Sequence, residues 1–215
     1  MLPPSEGKAR PGSRRAPVDL AKLAFPQLTP QREQLLDVLG DLRRAPAAPA
    51  HQVYTGVLFQ QLRLGELPGR ARRRVLIASG LWGMLRADDR IPAYKLPINE
   101  PLAGIGALPA FWRAPLREAL PDDGLIVDLR SGAYASAWRP RRAAVVAVHG
   151  LAEHADGRRS VISHMAKRVR GDVARILLTA PGARPRRPSD VLELVRAAGL
   201  RAELDGARLD VIEAA

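Results

Sequence analysis

Three stretches of the chain combine residue types that could hold or transform an anion. The first is the opening "MLPPSEGK". Pro3 and Pro4 stiffen the backbone ahead of Ser5, Gly7 and Lys8. Glycine lets a ligand approach the main chain closely, and successive amides there can cradle an anion. The glycine-to-lysine spacing is not that of a P-loop, and an ordinary surface turn is the competing reading. The second stretch is "ASGLWGMLRADDRIPAYKL" (78–96). Ser79, Arg86, Tyr94 and Lys95 offer a hydroxyl, a guanidinium, an aromatic face and an amine just past a buried apolar run, where ligands of α/β sheets gather. Asp88, Asp89 and Arg90 read as a solvated turn, and Leu81, Trp82 and Leu85 as core. The third is "SVISHMAKRVRGDVARIL" (160–177). At about 100° per residue, Ile162, Met165, Val169, Val173 and Ile176 share one face. His164, Lys167, Arg168 and Arg175 share the opposite face, with Gly171 at its centre. A glycine inside a helix costs about 1 kcal/mol relative to alanine, and a bare backbone there would admit a phosphate. A solvated charged face is the plainer explanation.

Composition narrows the chemistry. The 215 residues include no cysteine, which excludes a disulfide framework, a thiol nucleophile and a Cys-ligated zinc, and suits a reducing compartment. His149 and His154 are five apart with no evident third ligand, so no metal set is expected. No G-x-S-x-G elbow or G-x-G-x-x-G is present. Asp122-Asp123 reads as a loop. No apolar run is long enough to span a bilayer, and a cytoplasmic location with no membrane partner is expected. The net charge of +12 favours polyanions such as nucleic acids or phosphorylated metabolites. Only Lys8, Lys22, Lys95 and Lys167 are lysine, leaving 30 of the 34 basic residues as arginine. In so arginine-rich a chain each lysine draws notice, because a buried amine can give up its proton near neutral pH while a guanidinium stays charged.

The positioning elements follow from pattern. Hydrophobic residues at 47% can fill a core, and with aromatics at 4% that core must be aliphatic. Residues 9–18 read as a mobile surface loop and "APAAPA" (45–50) as a linker. "TPQREQLLDVLGDLRR" reads as a helix with Thr29 as cap and Pro30 at its first position. "VYTGVLFQQL" predicts a short second helix. "RVLIAS" (74–79), "LIVDLRS" (125–131) and "AAVVAVHGL" (143–151) predict buried strands. "LPAFWRAPLREAL" predicts a helix interrupted by Pro115. A long helix is expected over 160–178, and another in "SDVLELVRAAG" with Ser189 as cap and Gly199 as stop. Asp205-Gly206 fits a two-residue hairpin turn. The class is α/β, one domain over 1–215 with a mixed buried sheet flanked by helices.

In order, "LPPSEGK", "VYTGVLF", "SGLWGMLRADDRIPAYKL", "FWR", "VDLRSGAY" and "HMAKRVRG" resemble the YaaA family of peroxide-stress proteins, also catalogued as DUF328, over almost the whole chain. The resemblance implies a single α/β domain with a positively charged cleft, a cytoplasmic role in oxidative stress through limiting free iron, and DNA binding through the cleft and a helix-hairpin-helix. By similarity, Ser5 and Lys8 match the family's opening loop, and Ser79, Gly80, Gly83, Arg86, Tyr94 and Lys95 its central motif. Asp128, Ser131 and Tyr134 match its "L-x-S-x-x-Y" region, and Lys167, Arg170 and Gly171 its late basic motif. Two departures stand out. The apolar strand usual before the opening loop is replaced by Met1-Leu2, and "APAAPA" stands where a glycine-bearing hairpin belongs.

Two functional readings follow. In the first, a probable monomer holds duplex DNA in a cleft walled by the opening loop and the late helix. Lys8, Arg86, Lys95, Lys167, Arg168, Arg170 and Arg175 contact phosphates, and Tyr54, Tyr94 or Tyr134 stack on a base or sugar. In the second, the protein is an enzyme acting on a nucleotide or other phosphorylated small molecule. Lys95 or Lys167 then supplies an amine of lowered pKa, while Ser5, Ser131 and Gly7 hold the phosphate. The mixture of Ser, Asp, Tyr and Lys favours the enzyme, and the total charge favours DNA. Neither reading calls for a cofactor.

Overall fold

A computed structural model describes residues 1–161, 163–182 and 184–214. Its strands are β1 (Ala48–Pro49), β2 (Leu76–Ser79), β3 (Gly83–Arg86), β4 (Arg90–Ile91), β5 (Leu125–Asp128), β6 (Ala144–Glu153), β7 (Arg159–Ser160), β8 (Ala202–Asp205) and β9 (Arg208–Ala214). Its α-helices are α1 (Thr29–Leu39), α2 (Ala50–Val53), α3 (Val57–Leu62), α4 (Gly69–Arg72), α5 (Leu108–Ala119), α6 (Gly132–Ala135), α7 (Ser163–Thr179) and α8 (Pro188–Ala197). The class is α/β with a mixed sheet, as the pattern predicts. The chain divides into two compact units. One comprises Met1–Gly56, Pro68–Pro121 and Arg130–Arg139, and the other Val57–Leu67, Asp122–Leu129 and the chain from Pro140 onward.

The second unit is built on β6. Its apolar run buries Val146, Val148, Leu151 and Ala152. β5 and β9 flank it in parallel, β8 turns back antiparallel to β9, and β7 pairs with its far end. The hairpin forms where Asp205-Gly206 predicts it, but the pairing of Asp205 with Arg208 makes Gly206-Ala207 the central pair, with Gly206 at φ +54. α7 lays Ala166, Val169, Val173, Ala174 and Leu177 inward. It approaches β6 so closely that a Cβ on Gly150 would lie 2.8 Å from the Ala166 Cα. Ile162 lies outside the described residues, as does the side chain of His164. Ser189 is inside α8 and does not cap it. The Asp190 carboxylate accepts from the amides of Arg186 and Arg187 instead, satisfying donors that a helix start leaves open.

Gly171 corrects an expectation. It does not bare the backbone to a phosphate, because α3 crosses α7 there. A Cβ would meet the Leu58 carbonyl oxygen and the Gln61 Cβ, each at 2.6 Å. The helix interior accepts glycine's propensity cost so that two backbones can touch. Gly171→Ala would regain about 1 kcal/mol of propensity but force apart a backbone contact that cannot swing away. The expected net loss is about 1–2 kcal/mol, seen as a lower urea midpoint at unchanged m-value; a higher midpoint would show that the crossing yields.

In the first unit, β2 and β3 form a tight antiparallel ribbon with Ser79 opposite Gly83. Leu2 joins its edge in parallel register with Ile77, its amide donating to Leu76 O at 2.8 Å and its carbonyl accepting from Ala78 N at 2.9 Å. Met1-Leu2 thus supplies a short edge pairing before the opening loop. The stretch read as a linker is core instead: Ala47, Ala48 and Ala50 are buried, β1 pairs with β4, and α2 begins at Ala50. Small side chains let this segment lie against residues 87–91, and its prolines sit where no ladder donor is needed. Residues 9–18 carry neither helix nor strand. α1 begins at Thr29 after a 3₁₀ turn over Pro26–Leu28, so Leu28 occupies the capping position. α5 continues through Pro115.

The charged turn 88–90 is also corrected. Asp89 is buried, accepting from the amides of Ala24 and Arg86. Asp88 pairs with Arg72 at 2.8 Å and His51 at 3.4 Å. Arg90 is exposed but bonds Ala47 O. This turn is a clasp rather than a solvated tip.

Candidate functional site

In the first unit the opening loop, the "VYTG" start of the second stretch of the resemblance and the central motif meet around one side chain. The opening loop runs antiparallel to residues 53–55, with Ala9 N donating to Val53 O at 2.8 Å and Thr55 N to Gly7 O at 3.1 Å. Ser5 fixes the bend. Its hydroxyl donates to Gly7 O and accepts from Gly56 N, both at 2.6 Å. Gly56 must be glycine here, since a Cβ would lie 2.4 Å from the Ser5 Oγ. Ser5 is therefore buried and spent on the loop itself, and does not point at a ligand as the sequence suggested.

The bend carries Lys8 over two tyrosine faces. Its Nζ lies 4.5 Å from the Tyr94 ring centroid and 5.7 Å from that of Tyr54, within the range of a cation–π contact. It donates to Ser5 O at 2.6 Å. Among the described residues no carboxylate forms an ion pair with it. Burial lowers the Lys8 pKa to about 8, opposed by the charge of Glu6.

The rings beneath are fixed by a buried hydroxyl chain. Ser79 Oγ accepts from the amides of Trp82 at 2.9 Å and Leu81 at 3.2 Å. With both lone pairs used, its proton is directed to Tyr94 Oη at 2.7 Å, and Tyr94 Oη shares a further hydrogen bond with Tyr54 Oη at 2.7 Å. Burial raises the pKa of both phenols. Trp82 meets the Tyr94 ring edge-on at 6.2 Å. Tyr134, also in this unit, has its phenol pushed up by burial.

The glycines of the central motif serve packing. A Cβ on Gly80 would lie 2.4 Å from Leu96 O, and Gly80 O accepts from Trp112 Nε1 at 2.8 Å. Arg86 sits over Phe25, 5.6 Å from the ring centroid, and donates to Arg73 O. Lys95 is exposed while Tyr94 and Leu96 beside it are buried. Ser131 is exposed at the start of α6.

In the second unit the predicted phosphate contacts are mostly engaged within the fold. Arg168 pairs with Glu213 and, at 3.7 Å, with Asp172. Arg170 donates to Val148 O at 3.1 Å and feels the charge of Asp128. Arg175 donates to Leu62 O at 3.0 Å and pairs with Glu66 at 3.3 Å. Lys167 is exposed. Lowered amine pKa, expected at Lys95 or Lys167, falls on Lys8.

Arg32 is a residue that sequence reasoning missed. Fully buried in α1, it donates to Trp82 O at 3.1 Å, Met84 O at 2.9 Å, Ala24 O at 2.8 Å and Phe25 O at 3.4 Å. It thereby holds the turn that places Ser79. Its only sequence signal is an arginine three residues before the leucines of an amphipathic helix, and ordinary solvated arginines share it.

Comparison with known proteins matches the chain to a family. A family model described as peroxide stress protein YaaA matches residues 12–202. The chain belongs to that family. It is 40% identical over 245 aligned residues to a UPF0246 protein of Streptomyces coelicolor, covering 95% of this chain and 92% of that protein. A UPF0246 protein of Corynebacterium efficiens is 35% identical, covering 99% and 97%. The family model begins after the opening loop, whereas these alignments span nearly the full chain. No helix among the described residues is long and apolar enough to cross a membrane.

The pH dependence of stability follows from the burial of Lys8. In the folded state its proton leaves near pH 8, against 10.5 for a lysine in the unfolded chain. Above pH 8 the unfolded chain therefore binds more protons, and stability rises with pH. Above about 10 the tyrosines reverse this, since they stay protonated in the fold and ionise when unfolded. Urea midpoints measured from pH 7 to 10 should rise in the parent and rise less in Lys8→Met. An identical slope in both would remove Lys8 as the source.

Proposed function

We propose that this protein serves its peroxide-stress role by binding a small phosphorylated ligand, nucleotide or metabolite, at the opening loop, with Lys8 as the central cation. One observation carries the reading: a half-buried ammonium on two aromatic faces forms no ion pair with a carboxylate among the described residues, the charge of Glu6 acting on it only from beyond ion-pair distance. Such a charge is poorly solvated and gains more from an anion than an exposed lysine does. The fixed tyrosines offer a flat floor beside it, and Gly7 at the exposed rim leaves room for a close approach. The test is calorimetric titration with pyrophosphate and with ADP. Affinity should fall about tenfold in Lys8→Met, as expected for loss of one charge-assisted contact. Equal affinity in parent and variant would overturn the assignment.

A second reading, duplex DNA as the polyanion, is favoured by the net charge of +12 and by exposed Arg10, Arg14, Arg15, Lys95 and Lys167. It predicts affinity falling steeply with salt, with a shallower slope in Lys95→Ala and Lys167→Ala. The family role in limiting free iron is proposed for this chain as well. Its check is chelatable iron in peroxide-treated cells lacking the protein and complemented with parent or Lys8→Met, of which only the parent should restore the low level.

A further inference from the structure

The surroundings of Lys8 suit a covalent step as well as an ion pair. We propose that the Lys8 amine forms an imine with a ligand bearing both a phosphate and an aldehyde or ketone; the phosphate half rests on the anion-site reading above.

The geometry supports a nucleophile. Ser5 O takes one N–H of Lys8 at 2.6 Å, which fixes how the amine is presented. The Tyr94 and Tyr54 rings lie to one side of Nζ at 4.5 and 5.7 Å and exclude water there, while the side chain remains only half-buried and reachable. The ionisable groups around Nζ are Glu6, Tyr54 and Tyr94, with Tyr134 near Glu6. Desolvation outweighs the opposing charge of Glu6, so a useful share of the amine is neutral. The tyrosine hydroxyls are committed to one another and to Ser79, so Tyr54 and Tyr94 are positioning residues and do not touch the ligand's carbonyl.

The step balances without an oxidant. The nitrogen lone pair attacks the carbonyl carbon, and the carbonyl π pair moves to oxygen, which takes up a proton. The resulting carbinolamine loses water as the C=N bond forms, and the proton released from nitrogen returns to solvent. The sum is amine plus carbonyl giving imine plus water.

The chain supplies its own controls, because arginine forms no such stable imine and there are only three other lysines. Lys22 is exposed and paired with Asp19, and Lys95 and Lys167 are exposed. The full chain is treated at pH 7 with pyridoxal 5′-phosphate, and in parallel with pyridoxal, then reduced with borohydride and mapped by peptide mass. Labelling of Lys8 is expected to exceed that of each other lysine by at least tenfold. Lowering a lysine pKa from 10.5 to about 8 raises the neutral amine roughly 300-fold, and the lower nucleophilicity gives back only part of this. It should rise with pH through about 8. Tyr94→Phe, which keeps the ring, should retain this pH midpoint, and Tyr94→Leu, which removes it, should move the midpoint. Preference for the phosphate-bearing aldehyde supports both halves of the proposal. Equal labelling of Lys8 by both aldehydes supports the imine and overturns the phosphate reading. Labelling spread evenly over the four lysines overturns the imine.

Discussion

Arg32→Met is expected to lower the unfolding free energy by about 3–5 kcal/mol, the largest loss of any single change outside the aliphatic core. Arg32 is fully buried, and its guanidinium bonds four main-chain carbonyls from two segments, Ala24 and Phe25 on one side and Trp82 and Met84 on the other. Methionine matches much of its volume, so the loss would come from carbonyls left without donors and not from a cavity. Asp89 adds to the effect. It accepts from Ala24 N while Arg32 donates to Ala24 O, so one residue is held from both ends. Desolvation lowers the Arg32 pKa to about 10, opposed by Asp89. A buried cation of this kind is costly, and it is retained because a single planar fork reaches carbonyls that no neutral side chain could reach together. Guanidinium denaturation checks the prediction. A loss under 1 kcal/mol would mean that water replaces the guanidinium.

Gly83→Ala should cost about 2–4 kcal/mol, from two independent causes. The residue sits at φ +70, which L side chains rarely adopt. Its Cβ would also fall 2.7 Å from the Trp112 ring, and Trp112 is fully buried with its Nε1 bonded to Gly80 O. The indole cannot retreat without giving up that bond. Because Gly83 pairs with Ser79, the displacement would reach the hydroxyl chain, and the Lys8 labelling midpoint should shift as well. A destabilised variant with an unchanged midpoint would show that the ribbon and the lysine site are uncoupled.

Much of the fold was legible where burial imposes a pattern. The apolar runs at 74–79, 125–131 and 143–151 each contain a strand, but only β2 is buried nearly throughout. β5, expected to be buried, is half-buried along its length, and β6 alternates buried with half-buried residues before its buried end. Helices α5 (Leu108–Ala119) and α7 (Ser163–Thr179) were likewise legible from periodicity, although Ser160, expected inside the second, falls in β7. "APAAPA" failed because alanine and proline look like a linker in composition, yet small side chains also fit a tight core. Arg32 and Asp89 failed because their solvation is replaced by main-chain groups from distant segments, which no local window contains. Gly171 was singled out correctly and explained wrongly, since a bare helix backbone serves a second helix as readily as a phosphate.

The site was legible in its parts but not in its use. Ser5, Lys8, Ser79, Tyr54 and Tyr94 stood out by type. That Ser5 would be consumed by its own loop, and that Lys8 would bear the lowered pKa while Lys95 pointed outward, depends on pairing between the opening loop and residues 53–55. Tyr94 and Leu96 turn inward, so the alternation of extended backbone turns Lys95 out.

The most direct measurement is an NMR titration of the lysine ε-carbons, whose four signals are assigned by substitution, with and without pyrophosphate. One signal, lost in Lys8→Met, should titrate near pH 8 alone and at a higher pH once the anion is bound, because the anion restores the stability of the charged form. A Lys8 signal that titrates above 10, or that ignores pyrophosphate, would contradict the placement of the functional site at the opening loop.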